Sequence, residues 1–100
     1  DAVIGRSAYS SSKNAINTIA LTLSRELGKK NIRVNVIAPG LTNTDMMKNN
    51  TKPEIIDTVK SQSSLNRVAD PLEISKSVTA ISSDLFSFMT GQIIRIDGGM

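Results

Sequence analysis

The chain has 100 residues, with 12 Lys plus Arg against 9 Asp plus Glu, a formal charge of +3. It contains no Cys and no His, which excludes a disulfide framework, a thiol nucleophile, an internal Ser-His-Asp triad and the usual zinc ligand sets. Apolar residues make up 39%, enough for a globular core, and the length allows at most one such core.

The opening Asp1-Ala2-Val3-Ile4-Gly5 does not begin with Met and reads as cut from something longer, or processed. It has no basic stretch leading into an apolar one, so no signal peptide is expected. No apolar run approaches the roughly 18 residues of a membrane span. The first strong periodicity is helical: Ala15, Ile16, Ile19, Ala20, Leu23 and Leu27 recur at three- and four-residue spacing. They predict a helix over about residues 9–29 with that stripe as its packed face, ended by Gly28 and the cations Lys29 and Lys30. The β-branched run 32–38 predicts a buried strand, stopped by Pro39-Gly40. Asn35 within it needs a polar partner and is read as structural, tying strand to loop.

Residues 41–52 are polar and read as a loop. Pro53-Glu54 starts a helix running to about Ser63, with Ile55, Ile56 and Val59 on one side. Asp70-Pro71, with Glu73 three residues after Asp70, reads as a capped start of a helix over about 71–83. Thr90-Gly91 turns into a second strand at 92–96, which ends at Asp97-Gly98-Gly99. Helix, strand, helix, helix, strand, with two apolar strands joined by a helical crossover, predicts an α/β parallel sheet. Two strands alone leave both edges bare, which points to the C-terminal part of a larger doubly wound domain.

Tyr9 and Lys13 stand four apart at the start of the first helix and share a face. An ammonium held near a phenol favours the phenolate, and such a tyrosine can exchange a proton with a substrate oxygen. By itself Tyr-x-x-x-Lys is common by chance and more often a surface tyrosine stacked on its neighbour. The basic residues are scattered, and no aromatic residue interleaves with the Lys29-Lys30 pair, which argues against a nucleic-acid module.

The ordered set Tyr9-Ser10-Ser11-Ser12-Lys13, Asn35-Val36-Ile37-Ala38-Pro39-Gly40, Thr44-Asp45-Met46, Thr90-Gly91-Gln92 and Asp97-Gly98-Gly99 resembles the short-chain dehydrogenase/reductase family. Within that family it is most similar to 3-oxoacyl-(acyl carrier protein) reductases, over residues 3–100. The resemblance implies that residues 1–100 are the C-terminal part of one NAD(P)-binding, Rossmann-like domain. It implies an oxidoreductase that moves hydride between a nicotinamide and a ketone or secondary alcohol, with a 3-oxoacyl thioester as the first substrate guess and a sugar or other small secondary alcohol as the next. Tyr9 is then the catalytic acid/base and one of the cofactor-binding residues. Lys13 favours its ionised form and hydrogen-bonds the nicotinamide ribose. Pro39 and Gly40 form the turn where backbone approaches the nicotinamide, and Thr42 (by backbone) and Thr44 (by side chain) hold its carboxamide.

The same resemblance makes residues 45–66 the substrate-covering segment, although their mixed composition equally suits a plain surface helix. It gives NADP or NAD as cofactor, with NADPH favoured. The expected partners are a small-molecule or acyl-carrier-linked carbonyl substrate and a second copy of the chain, as dimer or tetramer. No nucleic acid, metal or membrane partner is expected, and the location is cytoplasmic. Lys29 and Lys30 stand where related reductases face acyl carrier protein, although a solvated helix end is the commoner explanation of such a pair. The family's glycine-rich phosphate loop has no match here, and its catalytic serine falls about a dozen residues before the tyrosine, upstream of Asp1. Ser7 is too close to take that place. The 100 residues by themselves are therefore expected to bind cofactor poorly, and the alternative is a catalytically incompetent piece that serves packing or oligomer contacts.

Overall fold

A computed structural model describes residues 4–100. The first three residues of the non-Met opening lie outside that range. The elements run α1 (Ser7–Leu27), β1 (Val36–Pro39), α2 (Asp45–Asn50), α3 (Pro53–Gln62), α4 (Pro71–Ser82) and β2 (Ile93–Ile96), with 3-10 turns at Gly28–Lys30 and Asp84–Phe86. The α/β class is the one expected, with one helix more than predicted between the strands, α2, and β1 pairs with β2. Val36 N–H donates to Gln92 C=O (2.8 Å) and Gly40 N–H to Ile96 C=O (2.9 Å). Four residues forward on one strand match four forward on the other, so the strands are parallel. The chain divides into two compact units, Asp1–Val36 with Phe88–Ile93, and Ile37–Ser87 with Ile94–Met100.

In the first unit α1 runs for 21 residues and starts two residues before the predicted point. It does not end at a left-handed Gly28, whose φ of −58° is right-handed. The chain tightens into the 3-10 turn and reverses at Asn31 (φ 60°), whose N–H donates to Gly28 C=O (2.9 Å). Asparagine tolerates that conformation better than most side chains. The packed face also differs from the prediction. Ala20 and Ser24 are buried, with Asn17 and Leu27 half-buried, while Ile16, Ile19 and Leu23 are exposed. The small side chains Ala20 and Ser24 let another segment approach the helix closely, so of the predicted stripe Ala20 and Leu27 are covered, whereas Ile16, Ile19 and Leu23 are not.

That close approach is made at Gly91. Its φ is +70°, and a Cβ there would stand 2.9 Å from Ser24 Oγ. Gly91→Ala is expected to cost about 1–2 kcal/mol from the left-handed backbone, with the Ser24 clash added. Urea unfolding of the complete protein checks it, and an unchanged midpoint overturns the assignment.

The predicted strand 32–38 is shorter than expected, because residues 33–35 spend their polar groups on the loop before β2. Asn35 Nδ2 donates to Met89 C=O (3.1 Å) and its Oδ1 accepts from Gln92 N–H (3.1 Å). Arg33 donates to the same Met89 carbonyl (3.2 Å), and Val34 N–H to Thr90 Oγ1 (3.0 Å). Asn35 thus ties strand to loop, as expected. β1 is half-buried rather than buried, with Pro39 exposed, since each strand of a two-stranded sheet keeps an unpaired edge.

In the second unit the 41–52 stretch is not all loop. Thr44 caps α2, its Oγ1 accepting from Met47 N–H (3.1 Å), and Asp45 sits in the first turn where the helix dipole favours a carboxylate. Met47 is buried and Met46 exposed. α4 starts where predicted, with a complete capping box between Asp70 and Glu73. The 3-10 turn at Asp84–Phe86, capped by Ser83, was not foreseen in the sequence. Among the described residues no helix is long and apolar enough to cross a membrane.

Candidate active site

Tyr9 lies in the first turns of α1 and is 49% exposed. Lys13 Nζ stands 5.5 Å from the centre of its ring, and Arg6 Cζ stands 5.0 Å from it. The four-residue spacing therefore does bring Lys13 to Tyr9, over the face of the ring. Arg6 is a second cation at the same ring, which the sequence reading missed. Its position three residues before Tyr9 in a helix start was the available signal. Ser7, set aside above as the family serine, is simply the first residue of α1. Ser12 Oγ donates to Tyr9 C=O (2.7 Å), so the serine run is partly engaged within its own helix.

In the second unit the Pro39-Gly40 corner is fixed by contact with the segment after β2. A Cβ on Gly40 would lie 2.8 Å from Asp97 Cα, so only glycine fits that approach. Thr42 Oγ1 donates to Gly40 C=O (3.1 Å), and Thr44 N–H to Thr42 C=O (2.8 Å). Thr44 Oγ1 spends an acceptor site on the α2 cap, which leaves its one hydroxyl proton to donate elsewhere. Ala69 forms a parallel bridge with Thr42, through bonds to Leu41 C=O (3.0 Å) and Asn43 N–H (2.8 Å). Such a bridge turns Thr42's own N–H and C=O to the opposite side. The Thr42 C=O already accepts from Thr44 N–H, so what the segment can offer a primary carboxamide, itself both a donor and an acceptor, is the Thr42 N–H, the second lone pair of that carbonyl and the Thr44 hydroxyl.

Residues 45–66 are α2, α3 and a turn, closed at their far end on the chain's last residues. Ser63 Oγ donates to Gly98 C=O (3.0 Å), Leu65 N–H to the same oxygen (3.0 Å), and Ser64 Oγ to Gly99 C=O (2.9 Å). Asp97 organises that end, its carboxylate accepting from Gly99 N–H (3.1 Å), Met100 N–H (3.3 Å) and Arg95 Nε (2.8 Å). Its enclosure works to raise the pKa, but these three donors outweigh it and hold the carboxyl below its ordinary value.

Arg67 Nη1 and Nη2 donate to Glu73 Oε1 and Oε2 at 2.6 and 2.7 Å. With the Asp70 N–H bond as well, Glu73 is lowered from 4.5 to about 2, and Arg67 is raised further by the same pair. A depressed folded pKa means that the pair contributes above the unfolded value and is lost as pH falls, here between about 4.5 and about 2. Water screens a pair this exposed, so the thermal midpoint of Glu73→Gln should lie only slightly below that of the parent at pH 7, and the two should converge near pH 2. A constant gap down to that pH overturns this account. Lys29 and Lys30 are exposed in their 3-10 turn.

The family profile described as enoyl-(acyl carrier protein) reductase matches residues 1–100. A 3-oxoacyl-(acyl-carrier-protein) reductase of Chlamydia trachomatis is 43% identical over 99 residues, covering 96% of this chain and 38% of the relative. The chain belongs to the short-chain dehydrogenase/reductase family. A 7α-hydroxysteroid dehydrogenase of Escherichia coli, another dehydrogenase, is 35% identical over 96 residues, covering 96% of this chain and 38% of the relative. Among solved structures, a 7α-hydroxysteroid dehydrogenase complexed with NADH and 7-oxo glycochenodeoxycholic acid superposes with a TM-score of 0.93 at 34% identity, over 99% of this chain and 39% of that one. A 3-oxoacyl-(acyl-carrier protein) reductase from Brucella melitensis superposes at 0.85 and 33% identity, over 92% and 34%. This short-chain dehydrogenase/reductase chain thus spans under two fifths of the length of the relatives it matches.

Proposed function

We propose that the complete protein carrying this chain is an NAD(P)-dependent oxidoreductase acting on a ketone or secondary alcohol, with Tyr9 as proton donor and acceptor. The observation that carries this reading is the exposed Tyr9 on α1 with the Lys13 ammonium drawn to its ring, in a chain of this family. When bound, a reduced nicotinamide supplies the hydride. Lys13 would hold its ribose, Thr42 main-chain groups and the Thr44 hydroxyl its carboxamide, and the Pro39-Gly40 backbone would lie against the ring. As the carbonyl carbon takes the hydride, its π electron pair moves to oxygen. Tyr9 gives that oxygen its hydroxyl proton, and the product is the alcohol. In the oxidative direction Tyr9 takes the proton back. Lys13 supports the phenolate left after transfer.

The 3-oxoacyl thioester remains the first substrate, supported by the relative that is 43% identical. A hydroxysteroid is the competing substrate, supported by the TM-score of 0.93 to a steroid dehydrogenase. NADPH is proposed over NADH on family likeness alone. A cytoplasmic homo-oligomer, dimer or tetramer, belongs to the same reading, and so does the placing of residues 1–100 within one domain. The test is a coupled assay that follows nicotinamide absorbance in the complete protein, with an acetoacetyl thioester and a 7-oxo bile acid, each with NADPH and NADH. Turnover of the thioester supports the reading, and turnover of the bile acid alone replaces the substrate. No turnover of any carbonyl leaves packing or oligomer contacts as the role of the chain.

A further inference from the structure

The segment carrying Thr42 and Thr44 is gripped by a clamp whose outermost residue is Arg67. Ala69 holds Leu41 C=O and Asn43 N–H, on either side of Thr42. Ala69 is itself held between two points of attachment to one carboxylate. On one side Arg67 makes its bidentate pair with Glu73. On the other, Asp70 N–H donates to Glu73 Oε1 (2.9 Å), while Asp70 Oδ1 accepts from Leu72 N–H (2.8 Å) and roots the step in α4. Movement of the 67–70 step would carry Ala69 with it, and the Leu41–Asn43 hydrogen bonds would follow.

We infer that Arg67 is a positioning residue for the nicotinamide end of the cofactor, acting through Glu73 and Ala69 on Thr42 and Thr44. The inference rests on the reading of those two threonines given above. The side chains of Arg67 and Glu73 are 50% and 42% exposed, and an ion pair so wet adds little to stability. What a two-pronged guanidinium–carboxylate pair does fix is direction. Arg67 touches neither substrate nor cofactor in this account, so its removal should be felt in cofactor affinity and not in the chemical step.

The experiment uses Arg67→Ala and Arg67→Lys in the complete protein, with Tyr9→Phe alongside. Binding of the reduced cofactor is titrated by nicotinamide fluorescence, and KM, kcat and thermal midpoint are measured in parallel. Arg67→Ala should raise the cofactor Kd and KM about tenfold, and Arg67→Lys, which keeps charge but loses the fork, about threefold. At saturating cofactor kcat should stay within about twofold of the parent, with substrate KM unchanged. An unchanged cofactor Kd, or a fall in kcat at unchanged Kd, overturns the inference. Should Arg67→Ala fail to fold, Arg67→Lys decides by the same criterion. Full turnover in Tyr9→Phe sinks the site reading itself. A dead Tyr9→Phe with normal cofactor binding in the Arg67 variants sinks only the positioning role.

Discussion

Tyr9→Phe in the complete protein should lower kcat by about 10²–10⁴-fold, the usual worth of a positioned general acid. The substitution deletes one oxygen and keeps the ring that Arg6 and Lys13 overlie at 5.0 and 5.5 Å. The half-exposed side chain fills no cavity, so helix packing and thermal midpoint should be unaffected. Cofactor affinity should fall little, because most of the contacts assigned to the cofactor, at Lys13, Thr42 and Thr44, stay in place. The loss therefore falls on kcat and on kcat/KM alike, the signature of an interaction made in the transition state. Lys13→Met should reduce kcat less and weaken cofactor binding as well, since Lys13 is assigned both tasks. Turnover of Tyr9→Phe within a few-fold of the parent would remove Tyr9 from the reaction.

Local signals in the sequence were read well, and signals that depend on distant partners were not. Asp70, Pro71 and Glu73 announce α4 because a capping box closes within four residues. Tyr9 and Lys13 meet because one helical turn joins them. α2 escaped notice because its six residues are polar apart from Met46 and Met47, too few for a helical period to register. Arg67 pairs with a residue six positions away across a break between elements, a spacing that neither helix nor strand periodicity marks. The face of α1 was legible only in part, for a related reason: Ala20 and Leu27 of the predicted stripe pack, whereas Ile16, Ile19 and Leu23 do not. Apolar periodicity marks the side with the most to gain from cover, whereas Ala20 and Ser24 mark the side that a neighbour can reach most closely. The strand predicted from residue 32 begins at Val36 because Asn35 bonds to Met89 and Gln92 through its side chain. Those partners lie more than fifty residues along the chain, as their separations of 54 and 57 record.

Two glycines that look alike in sequence should respond to alanine with opposite signs. Gly28→Ala places a methyl where nothing lies within 4 Å, on a backbone with φ −58° and ψ −39° that any residue adopts. It should stabilise the complete protein by about 0.4–1 kcal/mol, chiefly by narrowing the unfolded ensemble. Gly40→Ala places the same methyl 2.8 Å from Asp97 Cα and 2.9 Å from its Cβ. The obstacle is backbone, so no rotamer change relieves it. Asp97 is also held in place by donors from Gly99, Met100 and Arg95. The corner must move instead, which strains the Gly40 N–H bond to Ile96 C=O (2.9 Å) and the Thr42 hydroxyl bond to Gly40 C=O (3.1 Å). The expected loss is about 1–3 kcal/mol of stability, the range for inserting a methyl where there is no room. Because the displaced carbonyl is the one that Thr42 bonds, cofactor Kd should rise together with the fall in stability. Urea unfolding and fluorescence titration of both variants check the pair. A neutral Gly40→Ala would mean that the corner does not need its close approach to Asp97, and the placement of Thr42 and Thr44 would then have to rest on the Ala69 bridge alone.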